Sequence, residues 1–86
     1  VHEPARLAIL TVLAEADEVE FRFLEGVTGL TKGNISSHVS KLEAAGYVTV
    51  RKWFKGRVPT TSYSITPAGR AALESYRAAL KALVGG

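Results

Sequence analysis

Within ten residues the chain places Lys32, Asn34, Ser36, Ser37, His38 and Lys41, all hydrogen-bonding or positively charged side chains. A second set, Lys52, Lys55, Arg57 and Thr60, surrounds Gly56 and Pro59. The chemistry such sets support is non-covalent: amides and hydroxyls exchange hydrogen bonds with a polar partner, and the cations attract an anionic one. Covalent chemistry has no constellation to work with. The carboxylates Glu3, Glu15, Asp17, Glu18, Glu20 and Glu25 crowd the first quarter without a partner histidine, and no serine sits in a nucleophile-elbow context. No glycine-rich phosphate loop occurs. The absence of cysteine removes disulfides, thiolate metal sites and thiol nucleophiles together. His2 and His38 are too few and too far apart in sequence for a metal cluster. No enzyme, no metal and no cofactor is expected.

The net charge of +3 conceals an asymmetry. Residues 1–25 carry Arg6 and Arg22 against six acids, whereas residues 26–72 carry seven bases against Glu43 alone. A single-signed middle segment in a chain of 86 residues is the electrostatic footprint of a polyanion partner. That length allows one domain over residues 1–86, too small to divide and marginal enough alone to gain from a partner subunit. No apolar run approaches the ~18 residues of a membrane span, and no signal peptide is visible. A cytoplasmic protein without membrane contact is expected.

The elements that must position these side chains follow from periodicity. Pro4 suits a first helical position, and Leu7, Ile9, Leu10, Val12, Leu13, Ala14 and Ala16 follow it. Their spread covers more than half a helix circumference, so one side would face the core and the other a second cover, a partner chain. A second helix is expected over roughly 22–29, with Phe23, Leu24, Val27 and Leu30 inward and Gly29 as its stop. Thr31 reads as the N-cap of a third helix, in which Ile35, Val39 and Leu42 share one face and Gly46 ends the run. Two helices joined by a short glycine-containing turn describe a helix-turn-helix.

From Tyr47 the period becomes two, through YVTVRKWF and again through Thr61–Ile65. KGRVPT between them predicts a hairpin with a long basic tip, its base packed by Trp53 and Phe54. Thr66 and Pro67 open a last helix, in which Leu73, Tyr76, Leu80 and Leu83 form a coiled-coil-like seam before a frayed Gly-Gly end.

The stretches GLTKGNISSHVSKLEAAGYV and KGRVPTTSYSITPAGRAAL, in this order, resemble the winged-helix transcription regulators, MarR-like and ArsR-like in the broad sense, of the small single-domain type. The likeness covers about residues 5–80. It implies an α+β, mostly helical winged helix-turn-helix: helix, helix-turn-helix, two-stranded β wing, C-terminal helix. It also implies a partner, double-stranded DNA, with the third helix in the major groove. Small side chains there let a helix approach a groove about 12 Å wide. The wing of such proteins lies along the adjacent minor groove or backbone, which assigns Lys52, Lys55, Arg57 and Thr60 to DNA. Arg57 is expected in the minor groove, where negative potential concentrates. His38 borders the apolar face and reads two ways: as a structural histidine packed on the second helix, or, as the resemblance implies, near the DNA backbone.

A homodimer is expected, with Leu7, Leu10, Leu73, Tyr76, Leu80 and Leu83 at the interface and residues 66–84 as the dimerisation helix. Two-fold symmetry would set two recognition helices ~34 Å apart on a palindromic site. Little chain is left over for a small-molecule effector pocket, short of one formed between two copies. Two other readings fit the same residues: a winged-helix module that binds an acidic protein, and, since the chain starts at Val1, a DNA-binding accessory domain of a larger protein.

Overall fold

The computed structural model describes residues 4–85; His2 and Gly86 lie outside this span. Four helices and three strands follow in the order α1 (Pro4–Ala14), β1 (Val19–Glu20), α2 (Phe21–Thr28), α3 (Lys32–Ala44), β2 (Val48–Lys55), β3 (Val58–Ile65) and α4 (Pro67–Gly85). The sheet is antiparallel with order β1-β3-β2, so the short β1 lies against the strand that returns from the hairpin. β1 falls inside the acidic stretch that separates the first two helices in the sequence. Val19, opposite Tyr63, is buried while Glu20, opposite Ser62, stays accessible, which divides the strand between two faces.

One cluster of apolar side chains joins the layers. Ile9, Leu10 and Leu13 of α1 meet Leu24 of α2, Ile35, Val39 and Leu42 of α3, Val48 and Tyr63 of the sheet, and Leu73 of α4. The 4-3 spacing of Ile35, Val39 and Leu42 thus sets which side of α3 faces inward. Thr31 caps this helix by accepting from the Asn34 backbone N–H at 3.1 Å, an interaction worth about 1 kcal/mol. Gly46, at φ 83°, then takes a left-handed conformation that glycine adopts without steric cost and releases the chain into β2.

The helix-4 junction is locked by a hydroxyl. Thr66 Oγ1 donates to the Gly46 carbonyl at 2.6 Å and accepts from the Gly69 N–H at 3.0 Å, while the Thr66 N–H bonds Tyr47 O. Gly69 passes so close that a Cβ there would overlap the Tyr47 carbonyl oxygen and reach 2.8 Å from Ile65 Cγ1.

Several expectations are corrected by packing. α1 packs on α2, α3, α4 and β3, so its wide apolar girth is covered within the chain. Leu10 and Leu73 are buried in that core and Leu7 packs against it; Leu10 and Leu73 have no surface to offer a second copy. α2 turns Leu24 inward but leaves Phe23 and Val27 more than half exposed. A helix of two turns meets the core along one narrow line. The hairpin tip is tight, not long: Lys55 pairs with Val58 across Gly56 and Arg57 alone. Gly56, at φ 66°, suits the first position of a two-residue loop. Pro59 stands opposite Phe54, the pair next to the closing one, where ladder alternation turns its missing N–H away from β2. Phe54 is 69% exposed near the tip and does not pack its base, whereas the half-buried Trp53 donates Nε1–H to Ser62 Oγ at 2.8 Å. Gly85 remains helical instead of frayed.

Candidate nucleic-acid interface

α3 and the hairpin form two walls of one open cleft of about 900 Å³. Lys32, Ser36 and Ser40 line it from α3, Lys52 and Thr61 from the hairpin, and Arg22 from α2. The reason lies in the periods of the two elements. A helix that gives Ile35, Val39 and Leu42 to the core turns Lys32, Ser36 and Ser40 to one flank, about 60–140° from Ile35. Asn34, Ser37 and Lys41 fall on the other outward side, and all three are exposed. The middle of the outward face holds only small side chains, Gly33, Ser37 and Ala44. A surface this shallow admits a close approach, and its N-terminal turn presents backbone N–H groups of a kind that favour an anion.

The structure divides the expected basic residues into two groups. Lys32, Lys41, Lys52 and Arg57 are exposed and have no acidic partner among the described residues. Lys55, by contrast, is held by Glu20, Nζ to Oε2 at 2.8 Å. Arg51 makes a two-pronged contact with Glu18, Nε to Oε2 at 2.6 Å and Nη2 to Oε1 at 2.9 Å. Its guanidinium also stands 4.4 Å from the Trp53 ring centroid, a cation–π arrangement. The hydrogen bonds from Arg51 hold the Glu18 carboxyl below the usual carboxylate range, and the same contact raises Arg51. Burial pushes the Tyr63 phenol up. Thr60 is half-buried, and its hydroxyl donates to Val58 O at 3.1 Å.

These ion pairs are absent from the sequence reading. From Glu43 to Glu74 no acid interrupts the bases, yet β1 brings Glu18 and Glu20 from the acidic quarter across β3 to β2. Their spacing of two, with Val19 between, is the signal that both face the same side of a strand. Nothing in the sequence says which bases they meet. Arg22 also stands on the cleft wall, a position that nothing in the sequence signals. His38 is half-buried at the border of α3's apolar face, and Arg6 of α1 donates Nε–H to its Nδ1 at 3.3 Å. Its hydrogen-bond partner among the described residues therefore comes from the first helix.

Across almost the whole described span, residues 5–84, the chain matches a family described as the winged helix DNA-binding domain. The chain belongs to that family. This winged helix is 40% identical over 72 residues to an uncharacterized protein of Methanocaldococcus jannaschii, covering 83% of this chain and 77% of that protein. Its structure is similar to that of a transcriptional regulator homologue from Pyrococcus horikoshii, with a TM-score of 0.91, 33% identity, and coverage of 98% of this chain and 83% of the other. It is also similar to the transcriptional regulator BldR of Sulfolobus solfataricus, with a TM-score of 0.78, 30% identity and coverage of 93% of this chain; the winged helix spans 56% of BldR. Fold class and family thus agree with the sequence reading, with β1 as an added third strand. No helix among the described residues is long and apolar enough to cross a membrane.

Proposed function

We propose that this winged helix is a dimeric, sequence-specific regulator of transcription that binds double-stranded DNA, with α3 in the major groove and the hairpin along the flanking minor groove or backbone. The observation that carries this reading is the cleft walled by α3 and the hairpin, with Lys32 and Lys52 on opposite walls and without an acidic partner among the described residues. Asn34, Ser36, Ser37 and Lys41 are the readers of base edges and adjacent phosphates, His38 and Lys32 contact the backbone, and Lys52, Arg57 and Thr60 hold the neighbouring strand. Lys55 joins them only by leaving Glu20.

Dimerisation rests on the outer half of α4. Residues 77–85 are all exposed, the molecule is 52 Å long against 24 and 21 Å across, and Leu80, Leu83 and Val84 are 47%, 83% and 79% exposed. With Leu10 and Leu73 buried and Leu7 packed against the core, Tyr76, Leu80 and Leu83 remain the seam, joined by Val84. Sedimentation of a variant with Leu80→Glu and Leu83→Glu tests it; a dimer that survives both changes lies elsewhere.

Selection of bound sequences from a random duplex pool tests the whole reading. Enrichment of a palindrome with half-sites about one helical turn apart is expected. A chain that retains no duplex at any salt concentration is instead a protein-binding module, and capture by acidic peptides would then replace capture by DNA.

A further inference from the structure

The contact between Arg6 and His38 adds nothing to the apolar core, yet it joins the first helix to the flank of α3 that faces outward. Arg6 lies in the acid-rich quarter of the chain, apart from every basic residue assigned to DNA. It donates Nε–H to His38 Nδ1 at 3.3 Å, so Nδ1 is the acceptor and a neutral ring carries its proton on Nε2. The second nitrogen has no hydrogen-bond partner among the described residues, and no buried polar side-chain atom lacks one. Nε2–H is therefore within reach of solvent. On the helix, His38 follows Asn34 by four residues and precedes Lys41 by three, so it neighbours those two exposed side chains on the helix surface.

We infer that Arg6 is a positioning residue of the DNA interface: it fixes the His38 ring in the Nε2–H tautomer and in one plane, so that Nε2–H is presented to a backbone phosphate. The inference rests on the DNA reading above. A free imidazole divides between two tautomers and two ring flips, and only some of these aim an N–H outward. The guanidinium removes the others because a ring nitrogen bearing hydrogen, or a ring carbon, cannot accept from it. The same contact divides the two nitrogens of a half-buried histidine, Nδ1 going to Arg6 of the first helix and Nε2 to the surface.

Two measurements test this. Nitrogen-15 spectra of the free wild-type chain should show His38 with an acceptor-type Nδ1 and a protonated Nε2, and Arg6→Ala should mix the tautomers. In duplex binding, Arg6→Ala and His38→Asn should each weaken affinity at least about tenfold, the loss of one hydrogen bond to a charged phosphate. His38→Gln, whose terminal amide stands near Nε2, should bind within about twofold of wild type, and adding Arg6→Ala to it should change nothing further. The salt slope should stay the same in Arg6→Ala, because a positioning residue releases no counterion. Equal loss from Arg6→Ala in the wild type and in the His38→Gln variant, or a slope flatter by about 0.9, would make Arg6 a direct phosphate ligand and overturn the inference. A wild-type tautomer with the proton on Nδ1 overturns it without reference to DNA. A wild type that binds no duplex removes the DNA reading first.

Discussion

If Glu18 and Glu20 hold Arg51 and Lys55 away from DNA, removing the acids should change the salt dependence of binding by a calculable amount. On α3 and the hairpin, Lys32, Lys41, Lys52 and Arg57 are exposed without an acidic partner among the described residues, and Arg51 and Lys55 are engaged. Each phosphate neutralised contributes about −0.9 to the slope of log affinity against log salt. Four contacts per chain give a slope near −3.6, an affinity loss of about 150-fold between roughly 50 and 200 mM salt. With Glu18→Gln and Glu20→Gln together, the two freed cations add about −1.8, and the loss over the same range grows by a further factor of about twelve. The assay is fluorescence anisotropy of a labelled duplex at several salt concentrations, with stoichiometry measured above the dissociation constant so that slopes are expressed per chain. Both pairs are substantially solvent-exposed, so fold stability should change little, and a thermal melt serves as the control. A double variant that melts as wild type and keeps the wild-type slope would refute the reasoning: the pairs would then open on DNA at no measurable cost. A wild-type slope near −5.4, as expected for six contacts, would refute it in the same way.

Four further outcomes are expected. Gly69→Ala should destabilise by about 1–3 kcal/mol, because its Cβ meets the Tyr47 carbonyl and not a movable side-chain tip; a denaturant midpoint equal to wild type would show that the α4 junction yields. Arg57→Ala should weaken binding to all duplexes alike, whereas Asn34→Ala and Ser37→Ala should alter the ranking of sites; an unchanged ranking would remove α3 as the reader. Tyr63, whose phenol ionises later in the folded chain than in the unfolded one, supports stability below about pH 10 that fades as pH rises beyond it; Tyr63→Phe should flatten this alkaline decline in urea titrations. Glu18 has the opposite sign. Its carboxyl is held low by Arg51, so its contribution is present above the unfolded value of about 4.3 and is lost as pH falls through the lower folded one. Glu18→Gln should remove that part of the acid-side loss.

Local chemistry made most of the fold legible. Thr31, the Ile35–Val39–Leu42 spacing and Gly46 mark both ends and the inner face of α3 because capping, helical period and left-handed backbone are properties of a few consecutive residues. The same holds for Thr66 and Pro67 at α4 and for the alternation in β2. The errors share a cause. Phe23 and Val27 look inward on α2 by composition, and Leu10 and Leu73 look available for a partner, yet burial depends on which other elements arrive. A residue's period says which side of its own element it occupies, never what covers that side.

The candidate interface divides along the same line. Its small polar helix face and the basic loop that accompanies it are written in consecutive residues, and the outward set on α3 needed only a helical period to define. Which cations are available was decided by distance in space: Glu18 meets Arg51 from 33 residues away, Glu20 meets Lys55 from 35, and Arg6 meets His38 from 32. Charge tallied along a chain treats each base as free, whereas an ion pair or a histidine tautomer is set by atoms within hydrogen-bonding distance, and only the folded backbone brings those atoms together.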